Sequence, residues 1–125
     1  MSRKQWAVRT KILILGLFIT FFVMACAERS YQRQFVIGNS KSYEASLFRQ
    51  HCAICHGQEA NGKEVGGKFV PSLRYGEAAK KSEAEIYEQI KNGKLPMPAF
   101  KNQLTEDEIN KMVRFVIRDL QGREL

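Results

Sequence analysis

Within five residues the chain carries two thiols and an imidazole, as Cys52-Ala53-Ile54-Cys55-His56. Each cysteine sulfur can add across one vinyl group of a haem, and two intervening residues let one turn of backbone present both sulfurs to neighbouring vinyls. The next residue, His56, is then delivered to the iron as its proximal ligand. The motif predicts one covalently attached haem c per chain. Three other uses of the same residues fit less well. A thioredoxin-like redox pair needs a strand leading into a helix, and no alternating apolar run precedes Cys52. A structural zinc site needs four nitrogen or sulfur ligands, and no second cluster follows His56. A plain disulfide suits an oxidising compartment but leaves His56 without a task.

A haem iron with one histidine has an open face, and the group filling it decides between electron transfer and small-molecule chemistry. Beyond residue 25 the thioether candidates are Met97 and Met112. Met112 lies on the apolar face of a helical pattern, which marks it as core. Met97 sits in Lys94-Leu95-Pro96-Met97-Pro98-Ala99-Phe100, where each proline drives its predecessor out of the helical region and stiffens the loop. Such a loop holds a soft sulfur at a fixed distance, so Met97 is the expected sixth ligand and the iron is expected to be bound by His56 and Met97. His51 is on the same segment as the attachment motif and is expected at the surface.

Helices are the elements that must position these groups. Tyr43, Leu47 and Phe48 form an apolar stripe leading into Cys52, predicting a first helix with the attachment cysteines at its C-terminal end. Four glycines between Gly57 and Gly67 mark a loop. Ser82-Glu83-Ala84-Glu85 is a capping box opening a helix that Gly93 stops, and Thr105-Glu106-Asp107-Glu108 is a second box. Behind the second box, Ile109, Met112, Val113, Val116, Ile117 and Leu120 fall on one helical face. No strand pattern of comparable quality occurs, so the fold class expected is all-α, a helical domain around one covalent haem. At about residues 42–125 the domain is small enough that an apolar macrocycle at its centre supplies much of its stability.

The N-terminal stretch reads differently. Arg3, Lys4, Arg9 and Lys11 precede an apolar run from Ile12 to Ala25, with no acid among the first 25 residues. That order is a bacterial export signal, and the run is short for a bilayer span. It ends at Val23-Met24-Ala25-Cys26, which resembles a lipoprotein signal whose cysteine thiol is acylated before cleavage. Ala25-Cys26-Ala27 also fits ordinary cleavage to a soluble periplasmic protein, and an uncleaved anchor is a third version. All three put the haem domain outside the cytoplasm, and the lipidated version gives Cys26 a role beside the two haem thiols. The expected organisation is a signal peptide at 1–25, a polar tether at 26–41 with Phe35, Val36 and Ile37 available to pack on the domain, and the haem domain at 42–125. Losing residues 1–25 removes 4 of 20 basic residues and none of 13 acids, so a net +7 falls to +3. Two haem propionates bring that near neutrality, and no basic helix with interleaved aromatics suggests nucleic acid.

Over residues 43–120 the chain resembles the class I c-type cytochromes, the small monohaem kind. The likeness is carried by Leu47-Phe48 before Cys52-Ala53-Ile54-Cys55-His56-Gly57, by Val70-Pro71-Ser72-Leu73, by Asn92-Gly93 with Met97-Pro98-Ala99-Phe100, and by Leu104-Thr105 leading to Phe115-Val116. The resemblance implies that the first and last helices cross, with aromatics such as Phe48 and Phe115 near the contact. It also implies that Pro71 offers its carbonyl to the free nitrogen of the proximal imidazole, fixing the ring and making it a better donor. The family often has glycine eight residues before the first haem cysteine; here that position is Glu44, a departure that bears on how closely those helices approach.

With both axial positions filled by protein, the expected activity is single-electron transfer and not enzymatic turnover. Burial against Phe48, Phe69, Leu73, Leu95 and Phe100 is expected to raise the potential, because a low dielectric disfavours ferric charge. Lys63, Lys68, Lys94 and Lys101 lie on the two loops flanking the expected haem edge and suit an acidic, membrane-associated redox partner, donor or acceptor. A monomer is expected. The alternatives are an electron-transfer subunit of a membrane oxidase or reductase, and a haem enzyme or gas sensor with a labile sixth ligand.

Overall fold

The computed structural model describes Leu13, Ile14 and residues 34–125, and Gln34–Leu125 form one compact unit. The expected signal peptide, apart from Leu13 and Ile14, and Cys26 lie outside the described residues, as does the tether before Gln34. Among the described residues no helix is long and apolar enough to cross a membrane.

Ser42 opens α1 (Tyr43–His51), its side chain accepting from the Ala45 amide, and the buried face carries Ala45, Leu47 and Phe48. After Cys52 the chain makes one further turn, α2 (Ala53–His56), which ends where Gly57 adopts φ +81°. Two short strands follow, β1 (Lys63–Val65) and β2 (Lys68–Val70), paired antiparallel with Glu64 opposite Phe69. This hairpin departs from the all-helical expectation. Its residues are almost all exposed, so burial never forced an alternating pattern on the sequence.

Both capping boxes form. Ser82 and Glu85 open α3 (Glu83–Asn92), and Thr105 and Glu108 open α4 (Glu106–Arg114). In each, the hydroxyl accepts from the third helical amide while the glutamate accepts from the cap amide, satisfying donors that a helix start leaves free. Beyond Arg114 the helix widens into a π-helical stretch, Phe115–Leu120. Phe115 falls off the apolar face of an ideal α-helix, yet it is 1% exposed.

The core joins α1 to this last helix. Phe48, Ile109, Met112, Val113, Phe115 and Ile117 are each less than 2% exposed, and burying such a side chain contributes about 1.5–3 kcal/mol. The rings of Phe48 and Phe115 stand 6.1 Å apart, tilted by 46°, as the resemblance implied. Glu44 is only half-buried, and the small residue taken fully into the core is its neighbour Ala45.

The folded unit also starts earlier than residue 42. Phe35 sets its ring edge-on against Phe115 at 5.5 Å, and Ile37 is wholly buried. Polar contacts hold this arm. Glu59 accepts from the Ile37 and Gly38 amides, both at 2.9 Å, and Arg49 donates to the carbonyls of Ile37 and Ser40. Arg74 donates to the Phe35 carbonyl at 2.8 Å. Residues 35–40 therefore belong to the domain and not to a tether.

Candidate functional site

Helix α1 delivers Cys52 and His56 to one wall of an open cavity, while Cys55, half-buried, is not part of that wall. Phe48, Leu73, Ile86, Ile90, Met112 and Val116 line it, together with Cys52, His56, Pro71 and Met97. Besides Cys52 and His56, the polar side chains in its lining are Glu77, Lys81 and Gln89.

His56 is 9% exposed, and its Nδ1 stands 3.2 Å from the carbonyl oxygen of Pro71. A carbonyl only accepts, so Nδ1 carries the proton and Nε2 keeps its lone pair for a metal. Burial lowers the His56 pKa and favours the neutral ring, while the bond to Pro71 works the other way. The contact depends on a close approach of two backbone segments. Gly62 donates its amide to the His56 carbonyl at 2.9 Å, and a Cβ on Gly62 would lie 2.5 Å from the Val70 carbonyl oxygen. Ser72 completes the join by donating its hydroxyl to the Ala60 carbonyl.

The two cysteines carry no disulfide. Burial first, then the neighbouring Cys55, pushes the Cys52 thiol up to about 12, so Cys52 rests as the neutral thiol. The preceding element is a helix and not a strand, which removes the context a thioredoxin-like pair needs.

Met97 stands in a tight turn. Lys94 and Met97 exchange backbone hydrogen bonds of 3.1 and 2.9 Å, and the Phe100 amide returns to the Ile90 carbonyl at 3.1 Å. The Gln89 amide nitrogen lies 3.7 Å from the Met97 sulfur. A thioether only accepts, so it is the nitrogen end of Gln89 that faces it.

Three expectations change. Phe69 and Leu95 are 73% and 96% exposed and do not line the cavity, because one sits on the open hairpin and the other at the tip of the Met97 turn, and Phe100, though buried in the core, is not part of the cavity wall either. Met112 is core, as its helical position indicated, but it also faces the cavity, so two methionines reach the same space. His51 packs its ring edge-on against Phe100 at 6.3 Å, half-buried and outside the cavity wall. Lys63, Lys68, Lys94 and Lys101 are all exposed.

The donor set fits a haem. A largely apolar cavity with a few polar groups, the character of a cofactor site, has a neutral imidazole and a thioether in its lining and a thiol beside the imidazole. Thioether formation consumes neutral thiols and leaves no charge to bury.

The family model described as cytochrome C oxidase, cbb3-type, subunit III matches residues 44–116. A cytochrome c6 of Leptolyngbya boryana is 32% identical over 71 residues, which are 57% of this chain and 82% of that protein. A cytochrome c6 of Euglena gracilis is 35% identical over 83 residues, 62% of this chain and 91% of that one. Among solved structures, the KustC0563 c-type cytochrome superposes with a TM-score of 0.53 at 35% identity, covering 61% of this chain and 94% of that one.

Proposed function

The chain belongs to the cytochrome c family, and from that premise we propose that it is a single-electron carrier whose haem c is held by Cys52 and Cys55 and ligated by His56 and Met97. The haem supplies a one-electron iron couple. What this chain's residues do is set its surroundings. Pro71 fixes the imidazole tautomer and ring orientation, so that Nε2 is presented as a stronger donor. The Met97 thioether, softer than a second imidazole, favours the ferrous state and raises the potential. Phe48, Leu73, Ile86, Ile90 and Val116 exclude water from the space between these groups. With His56 and Met97 both given to the iron, no coordination site would be left for a substrate. The observation that carries this reading is that His56, Met97 and Cys52 line one cavity.

The carrier is proposed to work at the outer face of the cytoplasmic membrane, held by acyl groups on Cys26. The charge-then-apolar order of residues 1–25 and the cysteine that follows support this. A triacylated cysteine holds firmly, since each buried CH₂ contributes about 0.8 kcal/mol. Eight residues lie between Cys26 and Phe35, giving a reach of at most roughly 30 Å. The exposed Lys63, Lys68, Lys94 and Lys101 suit an acidic, membrane-associated partner. A redox titration of the matured protein tests the reading: a single one-electron wave and a ferrous form that does not bind carbon monoxide support it, and carbon monoxide binding favours the sensor or enzyme alternative.

The matched family model describes an oxidase subunit, which favours a second reading as a bound electron-transfer subunit. Extraction in mild detergent separates the two: a free carrier runs alone, and a subunit co-purifies with a stoichiometric membrane partner.

A further inference from the structure

Gly93 ends α3 with φ +71°. A Cβ placed there would stand 2.7 Å from three atoms at once: the Met97 carbonyl oxygen, the Pro98 carbonyl carbon and the Ala99 amide nitrogen. All three belong to the backbone, so no side-chain rotation relieves the contact. Gly67, with φ +75°, also has a positive φ and nothing within 4 Å. Both positions favour glycine by φ alone, and at Gly93 an extended ψ of 171° and a close approach are added.

What approaches Gly93 is the segment bearing the Met97 sulfur. The Gly93 amide donates to the Gln89 carbonyl at 2.9 Å, and the Lys101 amide returns to the Lys91 carbonyl at 3.2 Å. Residues 93–101 are thus fastened at both ends to the last turn of α3. Within that loop, Met97 has little latitude except through the space a glycine hydrogen leaves. We propose that Gly93 is a positioning residue for the Met97 sulfur: the absence of a side chain at 93 lets the loop settle against α3 at the depth where the thioether serves as sixth donor. This rests on the reading of Met97 as that donor.

The test uses the matured haem protein in three forms: parent, Gly93→Ala and Gly67→Ala. The readouts are the weak sulfur–iron absorbance band near the red end of the spectrum, the midpoint potential, and carbon monoxide binding by the ferrous form. Gly93→Ala is expected to lose at least half the band, to have a lower potential and to bind carbon monoxide, while Gly67→Ala matches the parent in all three. A Gly93→Ala protein with the parent's band and potential overturns the proposal, as does an equal loss in Gly67→Ala. A parent without the band overturns the reading of Met97 itself and the proposal with it, whereas a normal parent beside an unaffected Gly93→Ala sinks the proposal alone. If Gly93→Ala does not accumulate, the double variant Gly93→Ala/Met97→Ala decides. Its accumulation as a carbon-monoxide-binding protein supports the proposal, because nothing is then left to place. Its failure overturns the proposal, because the glycine then serves the fold whatever Met97 does.

Discussion

The guanidinium of Arg74 and the carboxylate of Glu59 meet at 3.2 Å with the arginine side chain 3% exposed, three residues beyond the imidazole of His56 along the chain from which Glu59 comes. The pair ties the attachment loop to the N-terminal arm, since Glu59 also accepts two arm amides and Arg74 donates to the Phe35 carbonyl. Removing the carboxylate leaves a buried cation short of its partner and two amides without an acceptor. Glu59→Ala is therefore expected to lower stability by about 1–3 kcal/mol, read as a lower denaturant midpoint at unchanged slope. The Glu77–Lys80 pair is 84% and 72% exposed, and Lys80→Ala is expected to shift the midpoint far less.

Acid sensitivity follows from Glu108. The Tyr43 hydroxyl first, then the Thr105 amide and hydroxyl, hold its carboxyl at about 2, against an ordinary 4.5. The folded protein then binds fewer protons at this site than the unfolded chain, so its contribution to stability is complete above about pH 4.5 and is lost as pH falls toward 2. Urea midpoints measured across that window are expected to fall less steeply in Glu108→Gln than in the parent. Tyr43→Phe removes the largest cause but keeps the capping box, and its slope is expected between the two.

The sequence made the helical skeleton legible because its signals are local. A hydroxyl three residues ahead of a glutamate announces a helix start whatever surrounds it, and both boxes are present. The apolar face of α4 and the segments carrying His56 and Met97 were readable for the same reason. What escaped depends on distant partners. Ile37 reads as an apolar residue able to pack on the domain from a polar stretch, but the partners that hold it, Glu59 and Arg49, are not visible along the chain. Phe69 and Leu95 are apolar by type, yet sit on an open hairpin and a turn tip where nothing covers them. Gly62 and Gly93 looked like loop punctuation, and their closeness to another backbone is invisible in one dimension.

Two methionines line the cavity, and substitution tells them apart. Met112 is 1% exposed and packs in the core. Met112→Leu conserves volume, is expected to cost less than about 1.5 kcal/mol, and leaves the sulfur–iron band intact. Met97→Leu is expected to abolish the band, lower the midpoint potential and admit carbon monoxide to the ferrous iron. The reverse pattern would exchange the two assignments.

Stability should depend on haem attachment. Phe48, Met112 and Val116 face the cavity and also form the core, so a chain that cannot retain haem leaves core side chains without contacts. Cys52→Ala/Cys55→Ala, made in a host that matures cytochromes, is expected to show most of its helical circular dichroism lost and no cooperative thermal transition.

The central claim is that Cys52 and Cys55 carry the haem that His56 ligates. Its most direct test is mass spectrometry of the proteolytic peptide containing Cys52–His56, taken from protein exported in a host competent for cytochrome maturation. One haem added to that peptide, with neither thiol left to alkylate, is the predicted result. A peptide of unmodified mass with two reactive thiols would contradict the account.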